Sequence, residues 1–262
     1  MTVSNIHSNT LKVSDEIDWW FQERAFDYSF KAFKGEKEVF IKSSSYVQIL
    51  DSFTALIHDD VAYIQFHYFN RRTHIDLWRF LRKIDDTIKG IILDVRSNPG
   101  GSLNLDIVSY FLKPEQLVAV VEDSDGTKHK INADIAYVNQ KLVVLQDEKS
   151  ASMSELLSAM LQKQGRATVI GQTSFGKAAI QFVFPVAKEG AMRLVKEHLY
   201  YPDTETSWAD TGVEPDIKIN IDKQQKSQFI GSTSSNDSSY DFTTRLKTDR
   251  VLRKAVTLLN KG

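Results

Sequence analysis

Cysteine is missing from all 262 residues, which excludes disulfides, a thiol nucleophile and thiolate metal ligation. An excess of one charge is missing too. Lys and Arg total 33 against 34 Asp and Glu, a formal net charge of -1, so no basic surplus points to nucleic acid. No stretch approaches the roughly 20 apolar residues of a membrane span. The opening MTVSNIHSNTLKVSDEIDWW lacks the basic start and apolar centre of a secretory signal. There is no G-x-S-x-G nucleophile elbow, P-loop or dinucleotide fingerprint. The six histidines (His7, His58, His67, His74, His129 and His198) show no metal-ligand spacing. No metal or cofactor is expected, and the chain is expected to be soluble.

What is present is enough for a substantial core, with hydrophobic residues at 42% and charged residues at 26%. Three regions are expected: an accessory region over 1–52, a core over 53–222, and a polar loop with a closing helix over 223–262. In the first, VSDEIDWWFQER reads as a helix, and FDYSFKAF with EVFIKSS as a hairpin around Gly35-Glu36. From Asp60, strands alternate with helices. VAYIQFHYF is a strand, and THIDLWRFLRKIDDTI an amphipathic helix with Ile75, Leu77, Trp78, Leu81 and Ile84 inward. GIILDVR has the near-continuous apolar run of a strand buried on both faces. LNLDIVSYFL is helical, and LVAVVED, AYVNQ and KLVVLQD are strands. A helix from Ser152 to Gln164 ends at Gly165, and RATVIGQ, AAIQFVFPV and MRLVKEHLYYP are further strands. This order indicates an α/β fold with a mostly parallel sheet flanked by helices. After Ile221 a Ser-, Gln- and Asn-rich loop leads to TDRVLRKAVTLLNKG, a helix with Leu252, Ala255, Val256 and Leu259 on one stripe.

Three features offer chemistry. Ser152-x-x-Glu155 has capping-box spacing, and a serine at a helix N-terminus also faces free N–H groups that favour developing negative charge. Ser150 and Ser154 compete for the same role, and spacing does not separate them. Lys177 sits among Phe175, Gly176, Ala178, Ala179 and Ile180, small and apolar neighbours that strip water from an amine and favour its neutral, proton-accepting form. On a strand it would share a face with Gln181, a hydrogen-bond partner for the amine. The turn Ser97–Ser102, SNPGGS, follows a buried strand and offers unobstructed backbone N–H groups at its carboxyl end.

These pieces resemble the serial motifs of the C-terminal processing peptidases, or tail-specific proteases. DVRSNPGG, SASMSE, GQTSFGKAAIQ and GVEPD occur in that family's order, and the likeness runs from about Asp60 to Ile221. The resemblance implies a ClpP/crotonase-like core and a serine endopeptidase acting on a protein or peptide through an acyl-enzyme. It implies Ser152 as nucleophile, Lys177 as general base and Gln181 as the residue that positions the lysine. The backbone N–H groups of Gly101 and Met153 are the implied oxyanion hole. Two departures stand out. Lys149 occupies a position where the family has glycine, and KVSDEIDWWFQERAFDYSFKAFKGEKEVFIK resembles only the later half of a peptide-binding PDZ domain. A leader and the earlier half-domain upstream in the coding sequence would place the protein outside the cytoplasm, and their absence would make a cytoplasmic role the expectation. The alternatives are a non-catalytic peptide-binding homologue that keeps the fold and a histidine-dependent serine hydrolase. Homo-oligomerisation is left open.

Overall fold

The computed structural model describes residues 29–34, 37–42, 52–134, 138–186, 190–202, 206–220 and 242–260. The chain divides into two units, Met1–Asp51 with Ser232–Asp237, and Ser52–Gly231 with Ser238–Gly262. In the first unit β1 (Ser29–Lys34) and β2 (Lys37–Lys42) pair antiparallel about Gly35-Glu36, the hairpin expected there. The helix expected before it, and hence most of the PDZ-like stretch, lies outside the described residues. So does the polar loop after Ile221.

The second unit is built on a six-stranded sheet ordered β12-β9-β8-β5-β4-β3. Its strands are β3 (Phe53–His58), β4 (Val61–Phe66), β5 (Gly90–Asp94), β8 (Lys141–Gln146), β9 (Ala167–Gly171) and β12 (Ile217–Lys218). Only β3 and β4 are antiparallel; every other neighbouring pair runs parallel. The fold class read from the sequence is therefore the one observed. The apolar runs are continuous because both faces are covered. Ala62, Ile64, Ile91, Leu93, Val144 and Val169 point into one core, with residues of α1 (Thr73–Leu81), α2 (Asp106–Ser109) and α3 (Met153–Lys163). Val61, Tyr63, Ile92, Val143, Leu145 and Ile170 point into the other, closed by α4 (Phe242–Thr248) and α5 (Arg250–Leu259). Among the described residues no helix is long and apolar enough to cross a membrane.

Three local expectations need correction. In α1, Leu77 and Leu81 are buried, but Ile75 and Trp78 are exposed; Ile84 packs against the core as expected but lies past the helix end. The buried stripe is narrower than the apolar pattern suggests. The LNLDIVSYFL helix contracts to the short α2. Val138 and Asn139 are not in a strand, whereas Lys128–Asn132, which had no strand signal, forms β7. Beyond the main sheet, β6 (Leu117–Glu122), β7, β10 (Ala179–Val186) and β11 (Gly190–Tyr200) make a separate antiparallel sheet ordered β10-β11-β6-β7. Val118, Ala119, Val121 and Leu199 root that second sheet in the first core.

Candidate active site

The chain leaves the parallel strands β5, β8 and β9 in three successive turns, so their loops converge at the carboxyl end of the sheet, where α/β folds place ligands. The loop after β8 and the first turn of α3 carry the three candidate serines, and the structure separates them. Ser150 and Ser154 are fully buried. The Ser150 hydroxyl donates to the Val95 carbonyl at 2.8 Å, and the Ser154 hydroxyl to the Asn98 carbonyl at 3.0 Å. Both tie the serine turn to the loop after β5, helped by Ala151 N–H on the same Asn98 carbonyl at 3.0 Å. Ser152 alone stays partly open to solvent. Its backbone has φ 57° and ψ -117°, a sparsely populated conformation costing about 1–3 kcal/mol. Such strain is held only by surroundings that over-determine it. Lys149 does not disturb this turn: its N–H donates to Asp147 Oδ1 at 3.0 Å, and the same carboxylate accepts the Ser97 N–H at 2.8 Å.

Glu155, in the first turn of α3, holds the arrangement together. Its Oε2 accepts the backbone N–H of Ser152 and that of Lys177, each at 2.8 Å. Its Oε1 accepts Gly176 N–H and the Ser174 hydroxyl, each at 2.6 Å. The Ser174 oxygen in turn accepts Val213 N–H at 2.7 Å, which brings in the loop before β12. One fully buried carboxylate thus collects four donors from two loops, and the backbones of Ser152 and Lys177 meet on one oxygen. Sequence spacing marks Glu155 as a helix cap; its grip on residues 174–177 has no local signal, because it spans about twenty residues of chain.

The glycine turn faces the same point. A Cβ on Gly100 (φ 98°) would stand 2.7 Å from Ser152 Cβ and 3.1 Å from Met153 N, so the turn lies directly against the nucleophile candidate. On Gly101 (φ 143°) a Cβ would fall 2.0 Å from the Phe69 carbonyl oxygen, which no side chain survives. Phe69 N–H donates to Gly100 O and Ser102 N–H to Phe69 O, while Gly100 N–H is taken by Asn98 Oδ1. The N–H groups of Gly101 and Met153 have no acceptor among the described residues.

Lys177 Nζ donates to Gln181 Oε1 at 3.4 Å, so the two residues meet as expected, by a different route. Lys177 precedes β10, and the register of β10 slips between Ile180 and Gln181, so strand alternation does not align them. The apolar neighbours divide. Ala178 is buried, Ile180 packs against the core, and Phe175 is 66% exposed. Among the described residues the Ser152 and Lys177 side chains share no hydrogen bond; their link is Glu155. His58, His67, His74 and His129 contact Asp59, Thr54, Asn104 and Asp123, and none of these contacts involves Ser152.

The profile of Peptidase family S41 matches residues 60–219, more than half the chain, and the chain belongs to that family. It is 34% identical over 179 residues to the carboxy-terminal-processing protease of Bartonella bacilliformis, covering 62% of this chain and 39% of that one. To the carboxyl-terminal-processing protease of a Synechocystis strain it is 31% identical over 195 residues, covering 73% and 44%. The chain therefore spans under half the length of these relatives. Among solved structures, the photosystem II D1 C-terminal processing protease superposes with a TM-score of 0.55 at 24% identity, over 61% of this chain and 42% of that one. An S41 protease structure from Bacteroides fragilis gives 0.62 at 18% identity, over 88% and 65%. These likenesses show the fold.

Proposed function

We propose that this chain is a serine endopeptidase of the carboxy-terminal-processing type, working through a Ser–Lys pair and an acyl-enzyme. The observation that carries the reading is the separation of the serines. Two hydroxyls are buried on backbone carbonyls, and the third stands strained and accessible beside the glycine turn, its backbone joined to that of Lys177 through Glu155. In the reaction Ser152 Oγ attacks the peptide carbonyl carbon while neutral Lys177 Nζ takes its proton. The carbonyl oxygen becomes an anion, and the N–H groups of Gly101 and Met153 stabilise it. The lysine passes its proton to the leaving amine as the C–N bond breaks. Water, deprotonated by Lys177 Nζ, then attacks the ester carbonyl, and the proton passes to Ser152 Oγ as the acyl C–O bond breaks. Gln181 accepts from Nζ and holds the amine in place. No histidine is needed.

A serine-directed fluorophosphonate probe tests this on the full chain. Labelling should occur and vanish in Ser152→Ala, while Ser150→Ala should retain it. Lys177→Arg should cut peptide turnover by more than about 10³-fold, because guanidinium stays protonated at any usable pH. An unlabelled chain, or a Lys177→Arg variant of near-normal activity, would sink the mechanism; the first outcome would favour a peptide-binding homologue.

A further inference from the structure

The β10–β11 ribbon is apolar where folding alone gives no reason for it. Only its base is held in the sheet, through His198–Tyr200 on β6. Further out, Phe182 pairs with Leu194 and Phe184 with Met192, directly opposite in antiparallel register, so all four side chains share one face. They are 37–47% exposed. The other face carries Gln181 and Arg193 beside the smaller apolar side chains of Val183 and Val195, which are 59% and 47% exposed, so it is the more polar of the two. A two-stranded ribbon is marginal by itself, and four large apolar side chains in a row on its surface mark a binding face. Two further observations say what binds. Among the described residues no strand pairs with the outer edge of β10, so its N–H and C=O groups are open to a ladder. The same strand holds Gln181, whose side chain is bonded to Lys177, so the ribbon leads away from the catalytic pair.

An extended polypeptide supplies both things this surface lacks: backbone groups for the edge, and side chains at a period of two for Phe182 and Phe184. A second copy fits less well. Pro185 has no N–H to donate and interrupts the long edge-to-edge pairing two ribbons would need, whereas a peptide needs only the stretch before it. We infer that this ribbon is a substrate-binding track that selects unfolded segments carrying bulky apolar side chains at alternating positions several residues away from the scissile bond, since Phe182 and Phe184 follow Lys177 by five and seven residues. The inference rests on the peptidase reading and names its substrate class.

The test uses the full chain as Ser152→Ala, so that binding is read without turnover. Two fluorescent peptides of equal length and charge are compared, one with Leu or Phe at alternating positions and one with Ser or Thr there. The apolar peptide should bind about tenfold tighter or better. Adding Phe184→Asn with Met192→Thr should bring the ratio close to one, with circular dichroism and unfolding midpoint reporting that the fold is kept. Phe184→Leu should restore most of the preference. Equal binding of the two peptides, or a preference that survives the double substitution, overturns the inference even if the serine probe labels the enzyme. Concentration-dependent dimerisation that disappears in the double variant also overturns it, by assigning the ribbon to a second copy. A preference lost as expected in a chain the probe never labels would instead keep the track and discard the peptidase chemistry.

Discussion

Glu155 is the residue on which the candidate site depends most. Its two oxygens accept four donors, and among the described residues it forms no ion pair. Glu155→Gln keeps the shape but turns one oxygen into an NH2 group, which faces two donors with a third. Leaving buried donors unpaired costs about 1–3 kcal/mol each, so a loss of at least about 2 kcal/mol is expected in urea unfolding. The same change should lower kcat far more than it raises KM, since it loosens Ser152 against Lys177 without touching the ribbon. A variant with full stability and unchanged kcat would show that the carboxylate only caps α3. Capping-box spacing makes Glu155 visible in the sequence, but its bonds to Ser174, Gly176 and Lys177 exist only once β9 lies beside β8.

At the level of elements, α5 is joined to the site's turn by one side chain. Asp249 Oδ1 accepts the N–H groups of Val251 and Leu252, while Oδ2 accepts Arg96 Nη2 at 2.7 Å. Arg96, the residue immediately before the Ser97–Ser102 turn, also grips Asp94 Oδ2 at 2.5 Å. The two duties of Asp249 are separable. Asn is as good a cap as Asp but carries no charge. Asp249→Asn should therefore lose only the ion pair, whereas Asp249→Ala should lose about 1 kcal/mol more, the worth of a cap. Chemical denaturation of both variants measures the gap, and identical midpoints would mean that the cap contributes nothing. The helix itself is plain in the sequence from its apolar stripe. That its N-cap residue braces Arg96, 153 residues upstream, is not, because ion pairs between distant elements leave no local pattern.

Across the whole molecule, stability in acid should depend on the Asp94 cluster. Burial opposes ionisation of Asp94, but the charge and hydrogen bonds of Arg96, with Arg245 and the Tyr63 hydroxyl, outweigh it and hold the carboxyl below its ordinary value. A carboxyl depressed in the folded state stabilises fully above its unfolded value of about 3.9 and loses that contribution as pH falls through the lower folded value. Asp94→Asn should cost about 3 kcal/mol at pH 7, since it leaves part of a buried ion pair uncompensated. It should also flatten the fall in stability below about pH 4. Unfolding midpoints measured from pH 2 to 7 check both; an unchanged acid limb in the variant would place the acid sensitivity elsewhere.

Strand and helix order, the buried runs of β5 and β8, the N-cap at Ser152 and the motif glycines could all be read from residue order, because periodicity, capping and backbone freedom act over a few neighbouring residues. The parallel sheet followed from the same information, since strands joined by helices return in one direction. Other features needed the folded chain. The separation of β6, β7, β10 and β11 into a second, antiparallel sheet depends on which edges find partners after collapse. The exposure of Ile75 and Trp78 depends on how far the core extends beneath α1. The choice among Ser150, Ser152 and Ser154 turns on carbonyls at Val95 and Asn98, which lie more than fifty residues away in the chain. Local sequence states what each serine is; only the packing of one loop on another states which two hydroxyls are buried on carbonyls and which one stays partly open to solvent.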